Sequence, residues 1–172
     1  MKRKLIFILI LIINVIGFFA YSQADKPLDK SVTIDKIVVE KGKRRLNLYF
    51  NDKLIKTYKI SLGRNSKGDK EFEGDKKTPE GQYLIIDKNP NSGYHKNLGI
   101  SYPNKEDIKQ AEKLGKKSGG EIKIHGLKNG LGWIEKAHLL MDWTAGCIAL
   151  TNKEIDELYE VVKTGTPIEI KP

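Results

Sequence analysis

Val32-Thr33-Ile34-Asp35-Lys36-Ile37-Val38-Val39 alternates apolar with polar residues over most of its length, and the pattern returns in Leu46-Asn47-Leu48-Tyr49-Phe50 and in Ile55-Lys56-Thr57-Tyr58-Lys59-Ile60. Successive side chains of a strand point to opposite faces, so each stretch reads as a strand with one buried face. Gly42 and the Asn51-Asp52 pair separate the three at spacings that suit tight antiparallel connections. An N-terminal β-meander is therefore expected. Beyond it, residues 63–80 are rich in Gly, Lys and Asp and read as a long surface loop, after which residues 82–87 return to strand.

Two helices are signalled by their caps. Asn104 can open one that carries Ile108, Ala111 and Leu114 on one face, with Gly115 just past its end. Thr151-Asn152-Lys153-Glu154 is a capping box, followed by Ile155, Leu158, Tyr159 and Val162 at helical spacing, with Gly165 as the stop. Residues 166–170 close the chain as a strand. The expected fold is mainly β with short helices, an α+β domain.

Upstream of the meander, Met1-Lys2-Arg3-Lys4 precedes an apolar run from Leu5 to Ala20, the pattern of an export signal. Ser22-Gln23-Ala24 offers a cleavage site. The run is also only slightly shorter than a membrane span, so residues 1–24 are expected to be either a signal peptide or an N-terminal membrane anchor. Residues 25–30 read as a linker and residues 31–172 as one domain, a size that suits a single core. Export places the protein in the periplasm or cell envelope, with inner-membrane anchoring through residues 5–20 if they are retained.

The chain carries 31 basic and 22 acidic residues. Without the three basic residues of the leader it stays near +6, from 28 basic residues against 22 acidic. Its lysines are interspersed with carboxylates rather than gathered on one stripe, which argues against nucleic acid as a partner. No metal-ligand spacing connects His95, His125, His138 and Cys147, so neither a metal nor another cofactor is implied. Glycines 68, 74 and 81 form no phosphate loop.

Chemistry concentrates in Ile122-Lys123-Ile124-His125-Gly126 and in Asp142-Trp143-Thr144-Ala145-Gly146-Cys147-Ile148-Ala149-Leu150. Alternation before His125 puts that histidine at a strand end, and Cys147 falls in a tight turn. The N–H groups of Gly146 and Cys147 are candidates for holding an oxyanion. Cys147 is the only cysteine, so it forms no internal disulfide. It is either a buried thiol or a nucleophile that an imidazole activates, and in the second case the imidazolium is expected to depress the thiol pKa and keep the thiol reactive below pH 7. His138, beside Leu139-Leu140-Met141, reads as part of a packed element.

His125-Gly126, Thr144-x-Gly146-Cys147 and Thr78-Pro79-x-Gly81-x-Tyr83 together resemble the L,D-transpeptidase catalytic domain, also called the YkuD-type domain, over residues 32–170. The resemblance implies a β-sandwich in which Cys147 is the nucleophile and His125 the acid/base. It implies peptidoglycan stem peptides as substrate and a part in wall biogenesis and cell shape. Thr144, Gly146 and Gly126 are motif positions, and Tyr94, His95 and Arg64 are candidates for lining the substrate groove. Many relatives have histidine at position 145 and arginine or asparagine at position 149, where this chain has alanine. The segment from Asp142 to Asn152 is similar to a subgroup with hydrolytic members, some of which detach wall-linked proteins. Transfer and hydrolysis both stay open on this reading, as does a non-catalytic wall-binding module.

Overall fold

The computed structural model describes residues 27–172; the leader and the first two linker positions lie outside the described residues. Eight strands form one mixed sheet in the order β3-β2-β1-β8-β4-β5-β6-β7. The expected meander is β1 (Lys36–Glu40), β2 (Arg45–Phe50) and β3 (Lys53–Lys59), in register as Ile37 with Leu48 and Val39 with Leu46. β8 (Pro167–Lys171) lies parallel to β1 and antiparallel to β4 (Gly81–Ser92).

β4 is longer than its alternation suggested and belongs to both halves of the sheet. Its first residues pair with β8, and from Ile85 onward it pairs with β5 (His95–Ile100). β6 (Lys123–His125) follows antiparallel, then β7 (Ile148–Ala149) parallel to it. Ser61 and Gly63, just past β3, bridge back to Ala149 and Thr144. The two ends of the strand order therefore meet, and the sheet folds over itself as a sandwich. A single buried cluster takes side chains from all eight strands, among them Ile37, Leu48, Tyr58, Ile85, Leu98, Ile124, Ile148 and Ile170. Leu28 and Val32 pack against its edge.

The helix at the C-terminal end, α2 (Asn152–Val161), begins as the sequence predicts. Thr151 accepts from the Glu154 N–H while Glu154 reaches back to the Thr151 N–H, a cap that contributes about 1 kcal/mol. Ile155, Leu158 and Val162 are fully buried. The earlier helix, α1 (Lys105–Lys113), has the Asn104 cap but a different inner face. Ile108 and Leu114 are 40% and 46% exposed, while Asp107 and Ala111 face inward. Asp107 closes the capping box and lies 3.1 Å from the Tyr83 hydroxyl, so polar groups rather than the expected apolar stripe seat this helix.

Residues 63–80 also depart from a plain surface loop. Lys70 and Asp75 form a buried ion pair at 2.6 Å, and the Asp75 carboxylate accepts the N–H groups of Glu71, Phe72 and Lys77. Lys41, 2% exposed, gives its ammonium to Gly68 O, Thr78 O and Glu80 Oε1. Lys41 thus has a partner for each of its three donors, and Lys70 adds Phe72 O to its ion pair, which is what lets these cations leave water.

Candidate active site

Register places the central pair. Ile124 aligns with Ile148 and His125 with Ala149 across the parallel β6–β7 pair, and the Leu150 N–H donates to His125 O at 2.9 Å. Since faces alternate along a strand, Ile124 and Ile148 enter the core while Lys123, His125 and Cys147 share the other face. These three residues line one groove of about 520 Å³.

The turn before Cys147 is fixed by backbone contact. Thr144, 5% exposed, donates its hydroxyl to Cys147 O at 2.7 Å and accepts the Gly146 N–H at 3.1 Å. Gly146 has φ +136°, and a Cβ there would lie 2.7 Å from Lys77 O; one on Gly63 would lie 2.2 Å from Lys76 O. Segments 61–64, 76–77 and 144–147 thus press together at a distance only glycine permits. Because the Gly146 N–H is taken by Thr144, it is not free for an oxyanion as the sequence suggested. Of the two amides proposed, that of Cys147 remains. From outside, Asp142 clamps the same turn: it accepts Nε and Nη2 of Arg44 and the Leu62 N–H.

His125 is 6% exposed. Its Nδ1 lies 2.7 Å from Gly126 O, which can only accept, so Nδ1 carries the proton and Nε2 is left with a lone pair. Burial pushes its pKa below the ordinary value; the Gly126 carbonyl opposes this, and the nearby Lys123 charge adds to it. Gly126 itself fits tightly, since a Cβ would meet Asn152 Oδ1 at 2.8 Å and Ile155 at 3.0 Å.

Cys147 is half-buried and its Sγ lies 3.5 Å from Glu121 O. Burial pushes the thiol up, against the pull of the Lys123 N–H and ammonium. These directions differ from the expected thiolate–imidazolium pair. Burial favours the neutral form of both groups, while the Lys123 charge disfavours the imidazolium and partly offsets the effect of burial on the thiol.

Trp143 and Tyr94 form the aromatic wall. Tyr94 lies 4.8 Å from the His125 ring and 6.2 Å from that of Trp143, which meets His125 edge-on at 5.7 Å. Arg64 and Lys76 bring positive charge to the rim; the Arg64 Nε–H donates to Trp143 O at 3.1 Å, and Lys123 pairs with Glu121 at 2.6 Å. Asn97, opposite His125 across β5–β6, is buried with its Oδ1 unpartnered. His95 is not among the groove-lining residues: it turns outward to pair with Asp156 of α2 at 2.9 Å. The groove therefore contains Cys147, His125, Thr144, Tyr94 and Arg64 but not His95. Trp143, Lys123 and Asn97 were not singled out from the sequence, although Trp143 stands inside the motif block. No cluster of His, Cys, Asp and Glu suited to a metal occurs among the described residues. No helix among them is long and apolar enough to cross a membrane.

Comparison with known proteins bears on the family and the fold. The family model of the L,D-transpeptidase catalytic domain, YkuD, matches residues 34–170. A Bacillus licheniformis protein provisionally named L,D-transpeptidase YkuD is 31% identical over 137 residues, covering 80% of this chain and 66% of that protein. Escherichia coli YafK, also provisionally named an L,D-transpeptidase, is 31% identical over 143 residues, covering 79% and 50%. The chain thus spans between half and two thirds of the length of these relatives. Among solved structures, the helical cell shape determining protein Pgp2 from Campylobacter jejuni superimposes with a TM-score of 0.60 at 28% identity, over 91% of this chain and 55% of that one. An L,D-transpeptidase from Mycobacterium smegmatis shares the fold at 15% identity and a TM-score of 0.53, over 80% and 58%. By sequence and by fold, the chain belongs to the L,D-transpeptidase catalytic-domain family.

Proposed function

We propose that this protein is an exported cysteine acyltransferase of the cell envelope that acts on peptidoglycan stem peptides through a thioester on Cys147. The observation that carries the reading is the His125 ring. Its Nδ1–H is tied to Gly126 O, so an unprotonated Nε2 is available on the face shared with Cys147. In the proposed reaction Nε2 takes the thiol proton as Sγ attacks the carbonyl of the diamino-acid centre. The Cys147 N–H is the candidate donor to the oxyanion. Collapse expels the terminal D-residue, whose amine takes the proton from the imidazolium, leaving the thioester. An acceptor amine, or water, then attacks with neutral His125 as base, and the thiol is restored.

Neutral resting groups suit this sequence, since proton transfer accompanies attack rather than preceding it. Arg64 and Lys76 would meet substrate carboxylates at the rim. Hydrolysis is the second reading, favoured by Ala145, which lines the groove and offers no polar side chain for an acceptor; a wall-linked protein is a substrate for that reading. Incubation with defined tetrapeptide muropeptides, read by mass, tests both. Cross-linked dimers mean transfer, a shortened stem or released amine means hydrolysis, and unchanged muropeptides contradict the proposal.

A further inference from the structure

His138 lies in a 3₁₀ helix (Gly132–Leu140) and is as buried as His125, at 6% exposure. The Trp143 Nε1–H points at its Nδ1 from 3.3 Å, so Nδ1 is the acceptor and the ring proton sits on Nε2. Nε2 is buried with no hydrogen-bond partner among the described residues. The Ser61 hydroxyl lies 3.4 Å from the same Nδ1 but has a shorter contact with His138 O at 2.9 Å, where its proton goes, so the backbone here has its own anchor. A neutral imidazole with one orphaned N–H costs stability that an apolar side chain would not. Packing therefore does not account for a histidine at this point, whereas an acceptor for the indole does.

We propose that His138 is a positioning residue: its Nδ1 holds the Trp143 indole in place as the wall of the acyl-donor groove, stacked on Tyr94 and edge-on to His125. The indole has three aromatic neighbours, at 6.2 Å to Tyr94, 5.7 Å to His125 and 6.2 Å to His138. Only the hydrogen bond to His138 fixes its rotation in the ring plane. Turned away, Trp143 would open the groove beside Cys147 without altering either reacting group. The inference rests on the proposed acyl-transfer reading for its kinetic arm alone.

The chain has two tryptophans. Trp133 is 78% exposed and lies outside the groove lining, so Trp133→Phe leaves Trp143 as the single tryptophan, excited selectively over the tyrosines at the red edge of absorption. In that background His138→Leu removes the acceptor, whereas His138→Asn puts an amide oxygen near the Nδ1 position. Emission of Trp143 should shift to the red in His138→Leu and return in His138→Asn. The KM for a tetrapeptide muropeptide should rise about tenfold in His138→Leu, with kcat and the iodoacetamide rate of Cys147 kept within about threefold, and His138→Asn should restore it. Adding His138→Leu to Trp143→Phe should change KM no further.

The proposal is overturned by unchanged emission in His138→Leu, by His138→Asn no better than His138→Leu, or by additive KM effects in the double variant. A KM loss matched by an equal loss of iodoacetamide reactivity would also overturn it, as that marks general disruption. Lack of turnover in the unsubstituted protein would remove the acyl-transfer reading instead, and the emission spectra would still decide the role of His138.

Discussion

His125 and His138 are equally buried and both touch Trp143, yet their neighbourhoods give them opposite tautomers. At His125 the Nδ1–H donates to a carbonyl, which leaves the Nε2 lone pair on the face shared with Cys147. At His138 an indole donor occupies Nδ1, and the proton is stranded on Nε2. Burial lowers the pKa of both, that of His138 to about 4. Burial therefore does not distinguish the proposed base from the proposed support; the partner of Nδ1 does.

The largest effects should separate the two histidines from the nucleophile itself. Cys147→Ala should abolish turnover, a loss on the order of 10⁶ for a nucleophile, while leaving the fold intact; circular dichroism and product mass check this. His125→Ala should cost on the order of 10²–10⁴ in kcat, the usual share of a general base, against less than about tenfold for His138→Asn. Reversal of that order would mean that the wrong histidine has been assigned.

The pH dependence sharpens the same contrast. Because His125 is held below 6.5 and Cys147 above 9.0, the competent neutral pair persists across neutrality, and turnover should fall only in acid, once His125 takes a proton. Iodoacetamide reacts with the thiolate, so alkylation of Cys147 should be slow at neutrality and climb beyond pH 9. A fast plateau below pH 7 would restore the thiolate–imidazolium pair that the sequence suggested.

Stability should show the other histidine. His138 stays neutral when folded but takes a proton when unfolded below about pH 6.5, so its contribution to stability is present above that pH and is lost as the pH falls toward 4. His138→Asn should flatten the melting-temperature profile in that window relative to the unsubstituted protein. Smaller still, Gly146→Ala should destabilise by about 1–3 kcal/mol, the range for backbone strain and overpacking, since φ +136° and the 2.7 Å approach to Lys77 O both resist a Cβ. A melting temperature unchanged by that substitution would mean the glycine contact is looser than described.

What could be read from the sequence was local. Strand alternation gave the meander, Thr151 and Glu154 gave the start of α2, and three motif blocks gave the family. The alternation before His125 put it at the end of β6, where it stands. Contacts remote in sequence were not legible. Arg44 meets Asp142 across 98 positions, and Lys41 reaches Gly68 and Thr78 across 27 and 37. Ile108 and Leu114 have helical spacing but no apolar surface to cover them. The tautomers could not be inferred either, because each depends on which group faces one ring nitrogen.

The central claim is tested most directly by intact-protein mass spectrometry after brief exposure to a tetrapeptide muropeptide and acid quench. The account predicts a thioester adduct, equal to the donor less its terminal D-residue, mapped to Cys147, absent in Cys147→Ala and strongly reduced in His125→Ala. Turnover without any adduct on Cys147, or an adduct that survives Cys147→Ala, would contradict it.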